Sequence, residues 1–462
     1  MLGIRNKNAL VLGINNNGIE LCKFLMREGA QVALADTRSE ESLDDQEKKL
    51  LEDFRQIPLY FGEYTQALFD RSDLVIVSAG IPVDLSILDT ARTMGKQVYS
   101  ELEFVSLYAK QPIIAIAGTN GKSTAAHILS SILSHAGKKC FSNATQPLAA
   151  YLNSSENYDH LICVCTSFQL EGVQNFKPSS VVFLNLAPDH GHWYPNYETY
   201  LAANREVLKN IDSTTQLILN ANDENIVNFV QGLPGRYLFF GSQTVPEGFE
   251  GAWGERGFLY ARCRESGSAP VQLNLKNLRL RGPHNKQNIM AAVLCALSLG
   301  VTPQQVQEAL LETRPLPHRL QFIKRINSVA FYDDSCAANP HAVIHSLHSF
   351  HEPIILVMGG KDKETEFSVM AQDIRQKVKN LIIVGDAKEK INRAIGDYTE
   401  TFIVGTIEEA VLMAYQKSRS GDVVLFSPGC DSRNLFATHE ERGENYKKLV
   451  NLLAVNKKRS II

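Results

Sequence analysis

The sequence of 462 residues lacks the features that mark several large classes of protein. It contains no run of about 20 apolar residues, the length that a membrane-spanning helix requires, and the mixed polar start Met1–Lys7 is followed by only a short apolar run. Its eight cysteines include no CxxC pair, which is more typical of reduced thiols than of a disulfide framework. We therefore expect a cytoplasmic protein without a signal peptide and without a membrane segment.

The chain also lacks a large excess of either positive or negative charge. The chain has 47 Lys and Arg against 50 Asp and Glu, a formal net charge of -3, so no global basic field is available to hold nucleic acid. Glycine and proline number 30 and 17, which is ordinary usage and argues against a disordered chain. With 44% hydrophobic residues and about 150 residues per domain, the length predicts roughly three globular domains.

The first third of the chain reads as a Rossmann-like unit. An apolar strand, Asn8–Ile14, leads through a turn and a helical pattern to a second strand, Gln31–Ala35, that closes on Asp36. The turn Gly13–Gly18 does not match GxGxxG, so a dinucleotide is not predicted, and an ordinary βα turn without a ligand remains an alternative. A further strand, Asp73–Ser78, ends in a turn at the edge where such sheets gather ligands.

The strongest single motif follows the buried strand Pro112–Ala117. The segment Gly118–Thr124 (GTNGKST) leads from this strand into a helical pattern, which is the arrangement of a P-loop. In such a loop backbone N–H groups cradle phosphates, Lys122 supplies a positive charge and the Ser123 hydroxyl can ligate Mg²⁺. The strict pattern has glycine where this chain has Ile116, and a loop of purely structural function is the less favoured alternative.

Alternating strands and helices continue to the end of the chain, with a break at Pro315–Pro317. Further strands are expected at Leu161–Cys165, Val181–Leu186, Val329–Tyr332, Ile354–Met358, Asn380–Val384, Glu400–Val404 and Asp422–Phe426. This pattern predicts an α/β protein with a doubly wound sheet in each third.

Several motifs occur in one order along essentially the whole chain: AGTNGKST (117–124), SFQLE (167–171), NxxxDH (185–190), HNxxN (284–288), PHR (317–319), DSCAAN (334–339), GGxDKxxxF (359–367) and SPGCDS (427–432). Their order and spacing resemble those of the Mur ligase family. Within the family the sequence is most similar to the members that add D-glutamate.

The resemblance implies a fold and a reaction. It implies a Rossmann-like N-terminal domain that binds the UDP substrate (1–108), a central P-loop ATPase domain (109–314) and a Rossmann-like C-terminal domain that binds the amino acid (315–462). It also implies that ATP, with Mg²⁺, activates the carboxylate of UDP-N-acetylmuramoyl-L-alanine for attack by D-glutamate in peptidoglycan precursor synthesis. Neither nucleic acid nor a membrane is expected as a partner, and the protein is expected to act as a monomer.

The resemblance also carries residue roles onto matching positions. It implies ATP binding by Gly118, Thr119, Asn120, Gly121, Lys122, Ser123, Thr124, Asn285, Asn288, Arg319 and Asp334. It implies substrate binding by Asp36, Thr37, Arg38, Gly80, Asn143, Lys363 and Ser432, catalysis by Lys122, His190 and Lys363, and Mg²⁺ ligation by Ser123 and His190. Taken singly, His190 is also compatible with a turn histidine, Lys363 with a surface charge and Asn285 with a turn former.

Some positions depart from the family pattern. Val164 stands where the family has a metal-binding glutamate, and Asn204 stands where it has a carbamylated lysine. Cys336 replaces a lysine and His192 an acid. Candidate replacement carboxylates are Asp189, Glu171 and Glu206. Two hypotheses follow: a working ligase with altered metal ligands, or a catalytically impaired homologue that binds nucleotide and has a regulatory or scaffolding role.

Overall fold

The structure is a computed structural model that describes residues 3–43, 45–81, 86–191, 193–267, 269–280, 282–362, 365–432, 436 and 438–459. These residues form two compact units. The first comprises Met1–Leu186, Glu198–Lys276 and Gln287–Leu311, and the second comprises Ala187–Tyr197, Asn277–Lys286 and Glu312–Ile462. In the part of the chain that is described, no helix combines the length and the apolar character needed to cross a bilayer.

The N-terminal sheet lies in the first unit and has five parallel strands in the order β3-β2-β1-β4-β5. The strands are β1 (Asn8–Leu12), β2 (Gln31–Asp36), β3 (Leu59–Phe61), β4 (Leu74–Val77) and β5 (Gln97–Ser100). The helices are α1 (Asn16–Arg27), α2 (Asp45–Glu52), α3 (Gln66–Asp70), α4 (Ser86–Thr93) and α5 (Glu101–Tyr108). Strand β1 is central, which explains why it is an almost unbroken apolar run. The expected Rossmann-like order is confirmed.

The central sheet has nine strands in the order β14-β13-β12-β11-β10-β9-β6-β8-β7. The strands are β6 (Ile113–Ala117), β7 (Cys140–Ser142), β8 (His160–Val164), β9 (Ser180–Phe183), β10 (Gln216–Asn220), β11 (Arg236–Gly241), β12 (Gly251–Glu255), β13 (Phe258–Arg262) and β14 (Val271–Asn274). The helices in this part of the chain are α6 (Lys122–His135), α7 (Ala150–Asn153), α8 (Ser167–Leu170), α9 (Tyr197–Arg205), α10 (Glu224–Val230), α11 (Pro283–Ser298) and α12 (Pro303–Glu312).

The edge of this sheet was not expected from the sequence. Strands β12, β13 and β14 pair antiparallel, and β12 turns into β13 through Arg256 and Gly257, which both have positive φ (+49° and +86°). Two left-handed residues form the tight turn that matches the twist of a hairpin.

The C-terminal sheet lies in the second unit and has the order β15-β16-β20-β17-β18-β19. The strands are β15 (Gln321–Ile326), β16 (Val329–Asp333), β17 (Ile354–Gly359), β18 (Val378–Val384), β19 (Glu400–Ile403) and β20 (Val423–Phe426), and the helices are α13 (Pro340–Leu347), α14 (Ala371–Lys377), α15 (Lys388–Ile395), α16 (Ile407–Lys417) and α17 (His439–Arg459). Separate apolar cores cover the two faces, with Leu356 in one and Val357 in the other. Alternation of side chains along a strand requires this arrangement.

The expected strands are all present, with ends shifted by a few residues, and the predicted α/β class is confirmed. The eight cysteines are free thiols, as their spacing predicted. Short or edge strands were missed; β3 and β7, for example, have only three residues each, too few to show a periodic pattern.

Candidate functional site

The loop between β6 and α6 depends on two glycines. Gly118 and Gly121 have φ values of +128° and +88°, which side chains rarely adopt. A Cβ at Gly118 would lie 2.8 Å from the carbonyl oxygen of Asn185, and a Cβ at Gly121 would lie 2.3 Å from Oδ1 of Asn288. Backbone conformation and close packing therefore both require glycine at these positions, and the Asn288 side chain lies against the loop.

Asn185 clamps the tip of this loop. Its Oδ1 accepts the N–H of Asn120 at 2.9 Å, and its Nδ2 donates to the carbonyl of Asn120 at 2.9 Å. The Asn185 carbonyl accepts the N–H of Thr119 at 2.8 Å, and the Thr119 hydroxyl bonds the Tyr200 hydroxyl at 2.7 Å. Asn185 has no role among the residues predicted from the sequence, although its place in the NxxxDH motif was a signal.

Lys122 begins α6 and lies within the curve of the loop. Its Nζ donates to the carbonyl oxygens of Gly118 and Thr119 at 2.6 and 3.0 Å. Ser123 and Thr124 are in the first turn of the same helix. An ammonium group beside a helix N-terminus makes this loop a suitable site for a polyphosphate anion.

Asp36 and Arg38 meet at the carboxyl end of β2. The Asp36 carboxylate, 3% exposed, accepts the backbone N–H groups of Ile14 and Arg38 at 2.8 and 2.9 Å and pairs with the Arg38 guanidinium. Burial raises the pKa of Asp36, but the hydrogen bonds from Arg38 and Ile14 outweigh burial and hold it below its usual range. Thr37 lies between them and is exposed.

Asn15 joins the first turn to the turn that contains Gly80. Its Oδ1 accepts the N–H of Gly18 and the hydroxyl of Ser78, at 2.9 and 3.0 Å, and its Nδ2 donates to the carbonyl of Ala79 at 3.1 Å. Gly80 follows with a φ of +91° and is exposed. The predicted residues at the ends of β1, β2 and β4 thus lie along one edge of the N-terminal sheet.

Asn143 bonds the end of β8. Its Nδ2 donates to the carbonyl of Val164 at 3.0 Å, and its Oδ1 accepts the N–H of Val164 at 2.6 Å. The Asn143 amide therefore extends the pairing of β7 with β8 beyond the strands themselves. Asn143, which is predicted to bind substrate, is therefore in direct contact with Val164, which differs from the family pattern.

Asn204 is buried in α9, with 1% of its surface exposed. Its Nδ2 donates to the carbonyl of Tyr200 at 2.8 Å, whereas its Oδ1 has no hydrogen-bond partner among the described residues. Glu206, a candidate replacement, is paired with Lys209 at 3.0 Å. Residues 164 and 204 together offer an apolar side chain and one neutral amide oxygen, which do not fit a doubly charged cation that prefers carboxylate ligands.

His190 lies in a tight turn of the second unit. It has a φ of +55°, and the preceding Asp189 accepts its N–H at 2.8 Å and an amide hydrogen of Asn339 at 3.1 Å. These three residues line a cavity of about 400 Å³. His190 and Asn339, the last residue of the DSCAAN motif, therefore line the same cavity.

Arg319 is held in a strained turn. The residues on either side of it, His318 and Leu320, have positive φ values of +61° and +46°. His318 Nδ1 bonds Asp333 at 2.7 Å, and the His318 carbonyl accepts the N–H of Cys336 at 3.1 Å. The PHR and DSCAAN segments therefore support one another.

Asp334 anchors the same turn from within the core. It accepts the N–H of Leu320 at 3.1 Å and the hydroxyls of Ser346 and Ser427 at 2.6 and 2.7 Å. Burial raises the pKa of Asp334 to about 6, against the lowering effect of these bonds. Asp334 and Arg319, both predicted from motifs, are thus brought together.

Ser432 is buried at the end of the SPGCDS segment. The adjacent Asp431 pairs with Lys361 through two backbone hydrogen bonds, of 3.1 and 3.2 Å, so this segment lies beside the GGxDK segment. Lys363 and His192 lie outside the described residues. Asn285 is buried in the second unit, whereas Asn288 and the loop at 118–124 belong to the first.

One group of side chains among the described residues has the spacing of a metal site, and none of its members is a predicted site residue. Ligand atoms of Glu250, Cys263 and Glu265 lie within 4.8 Å of one another. The Arg236 guanidinium bonds both carboxylates, so their negative charge is already partly balanced. Cys163 and Cys165 belong to no such group in the described part of the chain, and both are buried while Val164 between them is half-buried.

Three successive parts of the chain match models of Mur ligase domains. Residues 7–100 match the N-terminal domain of MurD-like Mur ligases, residues 116–296 match the Mur ligase middle domain, and residues 318–430 match the glutamate ligase domain of Mur ligases. The solved structure of UDP-N-acetylmuramate-alanine ligase MurC from Thermotoga maritima has the same fold, with a TM-score of 0.60 at 18% identity over 99% of this chain and 100% of that one.

Relatives are similar over nearly the full length. The chain is 39% identical to UDP-N-acetylmuramoylalanine--D-glutamate ligase of Bdellovibrio bacteriovorus, over 97% of this chain and 98% of the relative. It is 34% identical to the enzyme of that name from Geotalea daltonii, over 98% of each chain. Because these matches span all three sheets and the motif residues that line their edges, the chain belongs to the Mur ligase family.

Proposed function

We propose that this chain is an ATP-dependent ligase that adds D-glutamate to UDP-N-acetylmuramoyl-L-alanine. The observation that carries the proposal is the loop at residues 118–122, whose clamped backbone and inward lysine fit a polyphosphate. Relatives that match nearly the whole chain bear the name of this enzyme. The same proposal includes domain boundaries at 1–108, 109–314 and 315–462, action as a monomer and a location in the cytoplasm. The free thiols are consistent with that location, because the cytoplasm is a reducing compartment.

The proposed reaction has two steps. A carboxylate oxygen of the L-alanine attacks the γ-phosphorus of ATP, and ADP leaves, which produces an acyl phosphate. The amine of D-glutamate then attacks the acyl carbon and loses a proton, and phosphate leaves as the amide forms. Holding the reactants together supplies much of the rate, because it removes the entropic cost of bringing them into contact.

The first step is assigned to the first unit. Backbone N–H groups of Gly118, Gly121 and the start of α6 would hold the phosphates, while Lys122 would balance charge on the β and γ oxygens. Thr119, Asn120 and Thr124 belong to the same loop and helix start. From the second unit, Asn285, Arg319 and Asp334 are the residues we assign to the nucleotide.

Magnesium fits one part of this site. The Ser123 hydroxyl is an oxygen donor beside the proposed phosphates, and a bound Mg²⁺ would neutralise their charge. His190 is the ligand that we propose for a second Mg²⁺ ion. Residues 164 and 204 would not help to hold that ion, for the reasons given above, and we assign no step to it.

Substrate binding is assigned to the sheet edges. Asp36, Thr37, Arg38 and Gly80 lie at the ends of β2 and β4, where a UDP group would bind, and Asn143 lies at the end of β8. Lys363 and Ser432 are assigned to the carboxylates of D-glutamate. The catalytic set is Lys122, His190 and Lys363.

The test is direct detection of the product. Purified protein with ATP, Mg²⁺, D-glutamate and UDP-N-acetylmuramoyl-L-alanine should release phosphate and form the D-glutamyl product, as seen by mass spectrometry. Lys122→Ala should abolish both, whereas Lys139→Ala, a change at an exposed lysine of the same unit, should leave them unchanged. Binding of ATP without product from the native chain would contradict the proposal and favour the non-catalytic homologue.

A further inference from the structure

The side chain of Asn339 connects helix α13 to the turn that carries His190. Its Oδ1 accepts the N–H of Ala342 at 2.8 Å and so caps the helix, and its Nδ2 donates to Oδ2 of Asp189 at 3.1 Å. The helix N–H requires an oxygen acceptor, which determines how the amide is oriented. The NH₂ group must therefore face Asp189, and only 9% of Asn339 is exposed.

Asp189 passes this restraint to the backbone of His190. Its Oδ1 accepts the N–H of His190 at 2.8 Å, while the His190 carbonyl accepts N–H groups of Trp193 and Tyr194 at 2.8 and 3.0 Å. Both backbone polar groups of His190 are thus bonded while its φ is +55°. A left-handed conformation at a non-glycine residue is strained and persists where neighbouring groups enforce it.

The direction of the imidazole follows from this backbone. The His190 side chain is 28% exposed and lines the cavity of about 400 Å³, with its Nε2 3.9 Å from Oδ2 of Asp189. A change in the turn would move the imidazole away from the cavity, because Cβ direction is set by φ and ψ.

We propose that Asn339 is a positioning residue, which holds His190 in its working orientation through the carboxylate of Asp189. The proposal rests on the proposed function, in which His190 is catalytic. Asn339 itself does not touch the reacting atoms, and its second bond, to Ala342, fixes the distance between helix and turn.

The first variant is Asn339→Asp. Aspartate caps a helix as well as asparagine does, so the melting temperature should stay close to that of the native protein. The new carboxylate would face Asp189, however, and repel it. We expect kcat to fall by about tenfold to a hundredfold with KM for UDP-N-acetylmuramoyl-L-alanine unchanged, because a displacement of about 1 Å at a catalytic group has effects of this size.

The second variant exchanges the two side chains, Asp189→Asn with Asn339→Asp. The amide at 189 can donate to the carboxylate at 339 and still accept the His190 N–H, so the connection is restored with donor and acceptor reversed. A structural readout accompanies the kinetics: in protein with ¹³C-labelled histidine, the His190 signal is identified by its loss in His190→Gln. This signal should shift in Asn339→Asp and return toward its native position in the exchanged pair.

The outcomes separate the two proposals. If the native chain forms no product, the proposed function fails, and the histidine signal still tests the connection. An unchanged His190 signal in Asn339→Asp would overturn the inference whatever happens to kcat. A signal that shifts in Asn339→Asp but stays displaced in the exchanged pair would also overturn it, since Asn339 would then not act through Asp189.

Discussion

Glu101 is a buried residue whose ionisation is coupled to folding. Its carboxyl group is fully buried and accepts the backbone N–H groups of Ala79 and Ala149 at 3.2 and 3.0 Å. Burial raises the pKa of Glu101 to about 7, and the two hydrogen bonds only partly oppose it. Because this pKa lies above the ordinary value of 4.5, the native state favours the protonated form.

The first prediction follows from that direction. The stability that protonated Glu101 confers is complete below about pH 4.5 and is lost as the pH rises to about 7, a change on the order of 3 kcal/mol. In Glu101→Gln, which cannot ionise, the free energy of unfolding should fall less over this range. Urea unfolding at a series of pH values measures the difference, with Glu255→Gln, an exposed site, as control. Equal slopes in Glu101→Gln and the native protein would contradict the prediction.

A second prediction concerns Gly121. An alanine there would have both an unfavourable φ and a Cβ 2.3 Å from Oδ1 of Asn288. We expect Gly121→Ala to lose about 1–3 kcal/mol of stability and most of its ATP affinity, measured by calorimetry. Gly137→Ala is the matched control, because Gly137 also has a positive φ (+78°) but nothing lies within 4 Å of its Cβ position. Equal ATP affinity in the two variants would show that the contact with Asn288 is unimportant.

At the scale of elements, Asn143 acts as part of the central sheet. Its amide pairs with both backbone groups of Val164 at the end of β8, as a neighbouring strand would. Removing it leaves an N–H and a carbonyl without their partner. Because Asn143 and Val164 are only half-buried, water can partly replace the amide, so the two losses together should cost about 1–3 kcal/mol.

The third prediction is therefore that Asn143→Ala lowers the free energy of unfolding by about 1–3 kcal/mol even without substrate. Denaturant unfolding of the free protein tests it. Ser155→Ala, at an exposed position of the same unit, is the control and should change stability little. A variant as stable as the native protein would mean that Asn143 serves the substrate alone.

For the molecule as a whole, the substitutions at Val164 and Asn204 lead to a prediction about the ions that the proposed reaction needs. No lysine is present at 204 to react with carbon dioxide, and the residue there is an amide bonded to its own helix. In the proposed reaction, charge on the carboxylate and on ATP would then be balanced mainly by Lys122 and by Mg²⁺ held at Ser123.

The fourth prediction is that phosphate release needs high Mg²⁺ and does not respond to added bicarbonate. Steady-state rates in carbonate-depleted and bicarbonate-supplemented buffer measure this. Val164→Glu with Asn204→Lys should raise the rate and introduce a bicarbonate response, and each single change serves as control. Full native activity at low Mg²⁺ would contradict the prediction and direct attention to Asp189 or Glu171 as ligands.

Much of the fold was predictable because the signals are local. The run of apolar residues in β6, the two glycines after it and the helical pattern of α6 are adjacent in sequence. Together they therefore predict a strand, a glycine-rich loop and a helix. The hairpin of β12 and β13 was missed because its turn, Arg256-Gly257, is not one of the common turn pairs, although it adopts their left-handed geometry.

The α/β class, the glycine-rich loop at 118–124 and the family could all be identified from the chain's residues, because they depend on periodicity and on motifs within short segments. The side chains that hold the candidate site residues in place could be identified only after the elements were packed together. Asn185 and Asn120 are 65 positions apart, and Asn339 and Asp189 are 150 apart, yet each pair is joined by hydrogen bonds. Such contacts depend on how strands and helices pack after the chain has folded, and no local pattern of residue types specifies a distance between elements so far apart in sequence.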